Sequence, residues 1–237
     1  MSDQKLLQLV AAEAPAAIAD VIDVMEKIDA NLESGDGLKW FNFLYLAVTK
    51  EIHDHPPAGG WARENWLTRL DVVFAGFYFS AIEAYLEGDN RLASSWAILF
   101  EARHQPAIDR IQSALAGMNA HINHDLSLAL IRTNREFGIQ PGLTSPEHDD
   151  FERVNSLLQA VTPKVLQILA TGLIGEVVQD SGKIGRLLAF WSVSAARDLA
   201  WDFGDHLTKL DDITRRFAID AQDKITGALG RSLLAMI

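Results

Sequence analysis

From Ala114 to Ile131 the chain runs through eighteen residues without a single Lys, Arg or Glu. A helix on the surface of a globular protein carries charge on its outer face, so a helical stretch of this kind is expected to be buried nearly all round. The same stretch holds five strongly polar residues in seven positions: Asn119, His121, Asn123, His124 and Asp125. A buried polar group left without a partner costs about 1–3 kcal/mol, and more if it is charged. The interior must therefore supply partners for these side chains. The expectation is a central helix that carries a polar site into an apolar core.

The rest of the chain reads at the helical period, with no run of alternating β-branched residues and no Asn-Gly or Asp-Gly hairpin signal. Helices are expected from about Pro15 to Glu33, from Leu38 to His53 before Pro56-Pro57, from Ala62 to Leu86 before Gly88, and from Ala93 to Arg103. The central helix spans about 107–137 and ends at Gly138, a residue suited to a left-handed C-terminal cap. After the loop 139–146, a helix resumes near Glu147, and Pro163 is expected to kink or restart it. Two more cover roughly Ile184 to Leu210 and Asp212 to the end. The fold class is therefore all-α, a compact bundle of about seven or eight helices forming one domain over 1–237.

Charge narrows the function classes. With 21 Lys and Arg against 32 Asp and Glu, the net charge of −11 argues against nucleic acid and against anionic membrane surfaces as partners. No apolar run approaches the length of about 18 residues that a membrane span needs. The absence of cysteine excludes disulfides, thiolate metal sites and a cysteine nucleophile, and it fits a cytoplasmic protein. The start, Met1-Ser2-Asp3-Gln4-Lys5, does not read as a signal peptide. There is no Gly-x-Gly-x-x-Gly, phosphate loop, Gly-x-Ser-x-Gly or His-Glu-x-x-His, so no nucleotide cofactor is expected.

On the central helix, His121 and Asp125 fall one turn apart on one side, and Asn119 and Asn123 form a second such pair on nearly the opposite side. His121 and Asp125 can share a divalent metal, zinc or iron, or form a carboxylate-oriented imidazole for proton transfer. The bland alternative is a buried hydrogen-bond network that fixes helix register. Gly117, one turn earlier, leaves room for a ligand or a neighbouring helix. Asp71 interrupts the apolar run Leu70-Asp71-Val72-Val73-Phe74, where a carboxylate is either paired, with Arg69 or Arg197, or functional. Tyr78, Tyr45 and Thr49 are candidates for the same cavity. The expected catalytic set is His121, Asp125, Asp71, Asn119 and Asn123. The expected metal set is His121, Asp125, Asp71, Asp202 and His206, the last two repeating the two-ligand spacing in reverse order. His53-Asp54-His55 is expected to be an exposed helix end, and Glu101-x-x-His104 is only half of a di-iron motif.

The segment Gly117-Met118-Asn119-Ala120-His121-Ile122-Asn123-His124-Asp125-Leu126 resembles the signature of an uncharacterised bacterial family of helical proteins, a domain of unknown function. The similarity extends to Trp40 through Thr49, Leu70 through Ala75, and Asp150 through Asn155. It implies that residues in these blocks belong together, with Asp150 and Asn155 as site candidates through it alone, and it supplies no activity.

Three functions remain open. One is a metal-dependent hydrolase; small all-α zinc phosphoesterases of the phospholipase C type are similar in size and in His-x-x-x-Asp ligand pairs, but use more histidines. A second is a metal-free acid–base enzyme of the cyclase or isomerase kind with an aromatic pocket. A third is a non-catalytic protein that binds a hydrophobic ligand. All three take a small, partly hydrophobic molecule as partner, and the sequence leaves the oligomeric state open.

Overall fold

The computed structural model describes residues 3–12, 14–171 and 192–235. Ten α-helices are named here: α1 (Asp3–Val10), α2 (Ile18–Asn31), α3 (Gly37–Asp54), α4 (Glu64–Glu87), α5 (Ser94–Ala102), α6 (Arg110–Ala120), α7 (Leu126–Phe137), α8 (Pro146–Thr171), α9 (Val193–Thr208) and α10 (Asp212–Ala235). Between α6 and α7 lies one turn of π-helix, His121–Asp125, so that 110–137 is one continuous helical rod. No strand occurs among the described residues, and no helix there is long and apolar enough to cross a membrane. The chain is an all-α protein.

The uncharged stretch takes the central place expected of it. Every residue from Ile111 to Ile122 is buried, as are Asp125 to Ser127 and Ala129 to Ile131. Helices α3 and α10 pack on α6, α4 and α9 pack on α7, and α4, α9 and α10 all reach the π-turn. The polar cluster is therefore enclosed by four helices. One hydrophobic cluster continues around it from Leu6 in α1 to Leu233 in α10.

Close approach of α3 is set by a glycine. A Cβ on Gly117 would stand 2.4 Å from Cγ of Phe41, so the space that Gly117 leaves is taken by a neighbouring helix and not by a ligand. Gly138 ends α7 with a φ of +66°, the left-handed cap expected of it. Two boundaries differ from the expectation. The N-terminal segment forms its own helix, α1, which buries Leu6; at eight residues it is too short to announce itself by periodicity. Helix α8 runs on through Pro163, whose ring faces outward. The expected start of the next helix, at Ile184, lies outside the described residues.

Candidate active site

The π-turn carries the site. A π-turn closes with bonds from residue i+5 instead of i+4, here from the Leu126 amide to the His121 carbonyl. Such turns are rare and occur often at functional positions, because the widened ring re-aims the side chains on it. Around this one, Nδ1 of His121 lies 3.0 Å from Oδ2 of Asp125, and Nδ1 of His124 lies 2.8 Å from Oδ1 of the same carboxylate. The indole Nε1–H of Trp96, from α5, donates to Oδ2 at 2.9 Å. Two imidazoles and an indole thus converge on one buried carboxylate. Burial would raise the Asp125 pKa, but the hydrogen bonds from His121 and His124 outweigh it and hold the carboxyl below its ordinary range.

With Nδ1 donating to Asp125, His121 has its other nitrogen free. Nε2 is buried and makes no hydrogen bond. The ring is held rigidly, stacked on Phe74 with centroids 3.5 Å apart and an interplanar angle of 4°, and Tyr45 meets it edge-on at 4.6 Å. Loss of hydration pushes the His121 pKa below the ordinary imidazole value, although Asp125 pulls the other way. His121 is therefore a neutral base at neutral pH. It lines a narrow cavity of about 40 Å³ together with Tyr45, Thr49, Asp71, Phe74 and Arg197.

Asp71 and Arg197 supply the cavity's charge. Burial raises the Asp71 carboxyl to about 7, a shift that the nearby Arg197 guanidinium only partly offsets. Burial likewise lowers Arg197 to about 10. Arg69 is committed elsewhere, to Glu136 through Nε at 2.5 Å. Asn155 accepts from Nε of Arg197 at 2.6 Å, the Phe151 carbonyl accepts from Nη2 at 2.9 Å, and the guanidinium lies 4.0 Å over the Phe151 ring. Asn155 is thus the residue that aims Arg197.

Not every sequence candidate reaches this cavity. Asp125 sits behind His121 and lines a separate, open groove of about 520 Å³ with Trp96 and His124. The catalytic role expected for Asn119 and Asn123 has no support in their positions. Asn119 donates to the Thr226 carbonyl and accepts from Asn123, each at 2.9 Å, while the Asn123 carbonyl accepts from Gln222; both asparagines are engaged in holding α10. The metal roles expected for Asp202 and His206 fare no better, since both are exposed on the outer face of α9. Tyr78 donates to Asn42 at 3.3 Å and does not line the cavity. Asp150 is fully buried and caps the start of α4, accepting from the amides of Ala62 and Arg63. His53, Asp54, His55, Glu101 and His104 are exposed.

A metal at His121 and Asp125 would have to displace the hydrogen bond between them. Among the described residues, no group of three or more His, Asp or Glu side chains is placed to hold an ion. Three contributors to the site went unassigned in the sequence. His124 follows an i, i+1 step from Asp125 that rarely brings side chains together on a regular helix. Trp96 comes from a different helix. Arg197 was visible only as a possible neutraliser of Asp71.

Comparison with known proteins places the chain by family. The model of a family of unknown function, DUF5995, matches residues 18–236, nearly the whole chain, and the protein belongs to that family. No curated protein and no solved structure matches it.

Proposed function

We propose that this member of the DUF5995 family is a small-molecule enzyme that works by acid–base chemistry, with His121 as the group that moves the proton and Asp125 as its orienting carboxylate. One observation carries the reading. The buried Nε2 of His121 has no hydrogen-bond partner, while Nδ1 is tied to a carboxylate that three donors hold in place. A buried acceptor without a partner is uncommon in a folded protein and calls for a reason. A ligand proton brought to the cavity provides one, because general-base catalysis needs a neutral imidazole within hydrogen-bond reach of the proton it takes.

The roles follow from the geometry. Asp125 fixes the Nδ1–H tautomer and stabilises the imidazolium formed when Nε2 accepts a proton. Asp71, poised near neutrality, is the second proton-exchanging group of the cavity, and a base and an acid on one cavity suit an isomerisation or cyclisation. Phe74, Val48, Leu70 and Leu158 give the cavity an apolar lining, which suits a small and partly hydrophobic substrate once the cavity of about 40 Å³ widens to admit it. The reading draws on no metal: it uses Nε2 of His121 as the base and Nδ1 as the donor to Asp125.

The experiment is a nitrogen-15 NMR titration of the histidine side chains, paired with proton–deuteron exchange assays on small carbonyl compounds. His121 should hold the Nδ1–H tautomer at pH 7, and the exchange should vanish in His121→Gln. An imidazolium or an Nε2–H tautomer at pH 7, or exchange unaffected by the substitution, would overturn the proposal.

A further inference from the structure

The cavity that His121 lines is also lined by a cation with unused donors. Arg197 has five N–H groups. Its Nε is spent on Asn155 and one Nη2 hydrogen on the Phe151 carbonyl; no hydrogen bond or ion pair among the described residues uses the Nη1 end. The contact with the Phe151 ring fixes the plane of the fork, so its orientation is set before any ligand arrives. Arg197 lines the cavity together with the aromatic rings of Phe74 and Tyr45.

We infer that the ligand of this cavity is a small carboxylate with an apolar body, its carboxylate docking on the open edge of Arg197 and its body lying along Phe74 toward Nε2 of His121. The inference rests on the reading of this cavity as a substrate site and adds the substrate class to it. A planar guanidinium matches a carboxylate with two parallel hydrogen bonds, and in an apolar pocket such charge-assisted bonds are about twice as strong as neutral ones.

The charge balance agrees. The acidic groups near Arg197 are Asp71 on α4, Glu152 on α8 and Asp198 on α9, and none of them stands in ion-pair contact with it among the described residues. Glu152 and Asp198 both accept from Asn155. Asp71, which burial makes reluctant to ionise, forms no ion pair with the guanidinium, so no carboxylate of the described residues neutralises it at contact distance. An ammonium ligand would meet repulsion from Arg197, and a neutral amide would leave its charge unbalanced. With about 40 Å³ of space the cavity must widen to admit a ligand, which favours a short chain, and butyrate is the probe.

The test titrates the full chain with butyrate, butyramide and butylamine, followed by calorimetry and by the His121 side-chain resonances. Butyrate should bind at least about tenfold more tightly than either neighbour, should move the His121 signals, and should lose about tenfold or more in Arg197→Gln. Equal binding of butyramide, preference for butylamine, or no binding of any probe at millimolar concentration would overturn the inference. The comparison of probes on the unaltered protein stands even where Arg197→Gln does not fold. His121→Gln separates the two proposals. Butyrate binding kept in that variant supports the anchor whatever the fate of the catalytic reading, and a wrong His121 tautomer with butyrate still bound removes the catalytic reading alone.

Discussion

His121 and His124 grip opposite oxygens of the Asp125 carboxylate, at 3.0 and 2.8 Å, yet they face different spaces. His121 lines the narrow cavity, whereas His124 lines the wider groove with Nε2 4.0 Å from Asp223. Their basicities are pushed apart accordingly. Desolvation wins at His121, while at His124 it is outweighed by the bond to Asp125 and the charges of Asp125 and Asp223. The turn thus carries a weakened and a strengthened imidazole base on one shared carboxylate.

This arrangement predicts that His124 sets the titration of His121. A proton on the His124 ring disfavours one on the neighbouring ring, so His124→Gln should raise the His121 pKa. Histidine NMR titrations of both proteins check this. An unchanged His121 would show that the two rings do not communicate through Asp125.

Asp125→Asn should damage both function and stability. An amide can accept from only one side, so at least one of the His121, His124 and Trp96 donors is left unpaired in the core. That loss costs about 1–3 kcal/mol of stability, measurable by urea unfolding. Any acid–base activity should fall about 10²–10⁴-fold, because the imidazole loses its tautomer control.

Asp71 gives a pH signature. Its folded pKa, about 7, lies above the ordinary 3.8, so between these values the folded state binds more protons than the unfolded one. Stability from this group is therefore full below pH 3.8 and falls as pH rises toward about 7. Asp71→Asn should remove that decline, leaving a flatter profile of melting temperature against pH across this window.

Gly117→Ala tests the approach of α3. The added methyl would meet Phe41 at 2.4 to 2.7 Å, too close for any rotamer to absorb without a helix shift. A loss of about 1–3 kcal/mol is expected on thermal or urea unfolding. Phe41 also touches the His121 ring edge-on at 5.8 Å, so the His121 resonances should move as well.

Much of this protein follows from local sequence. The run 114–131 had to be an interior helix, since it has no Lys, Arg or Glu to form an outer face, and the spacing of His121 with Asp125 and of Asn119 with Asn123 had to give bonded pairs, since four residues make about one turn. Asp71, alone among apolar neighbours, is half-buried on the cavity. What those pairs do was decided elsewhere. Asn119 and Asn123 became anchors for α10, and Asp202 and His206 turned outward, because helix packing chooses which polar face meets a neighbour and which meets water. The π-turn, the Trp96 bond to Asp125 from 29 residues away, and the meeting of Arg197 with Asp71 across more than a hundred residues leave no local signature. Periodicity reports which face of a helix is buried; only the packed helices around α6 and α7 fix what that face touches, and hence which nitrogen of His121 is left free.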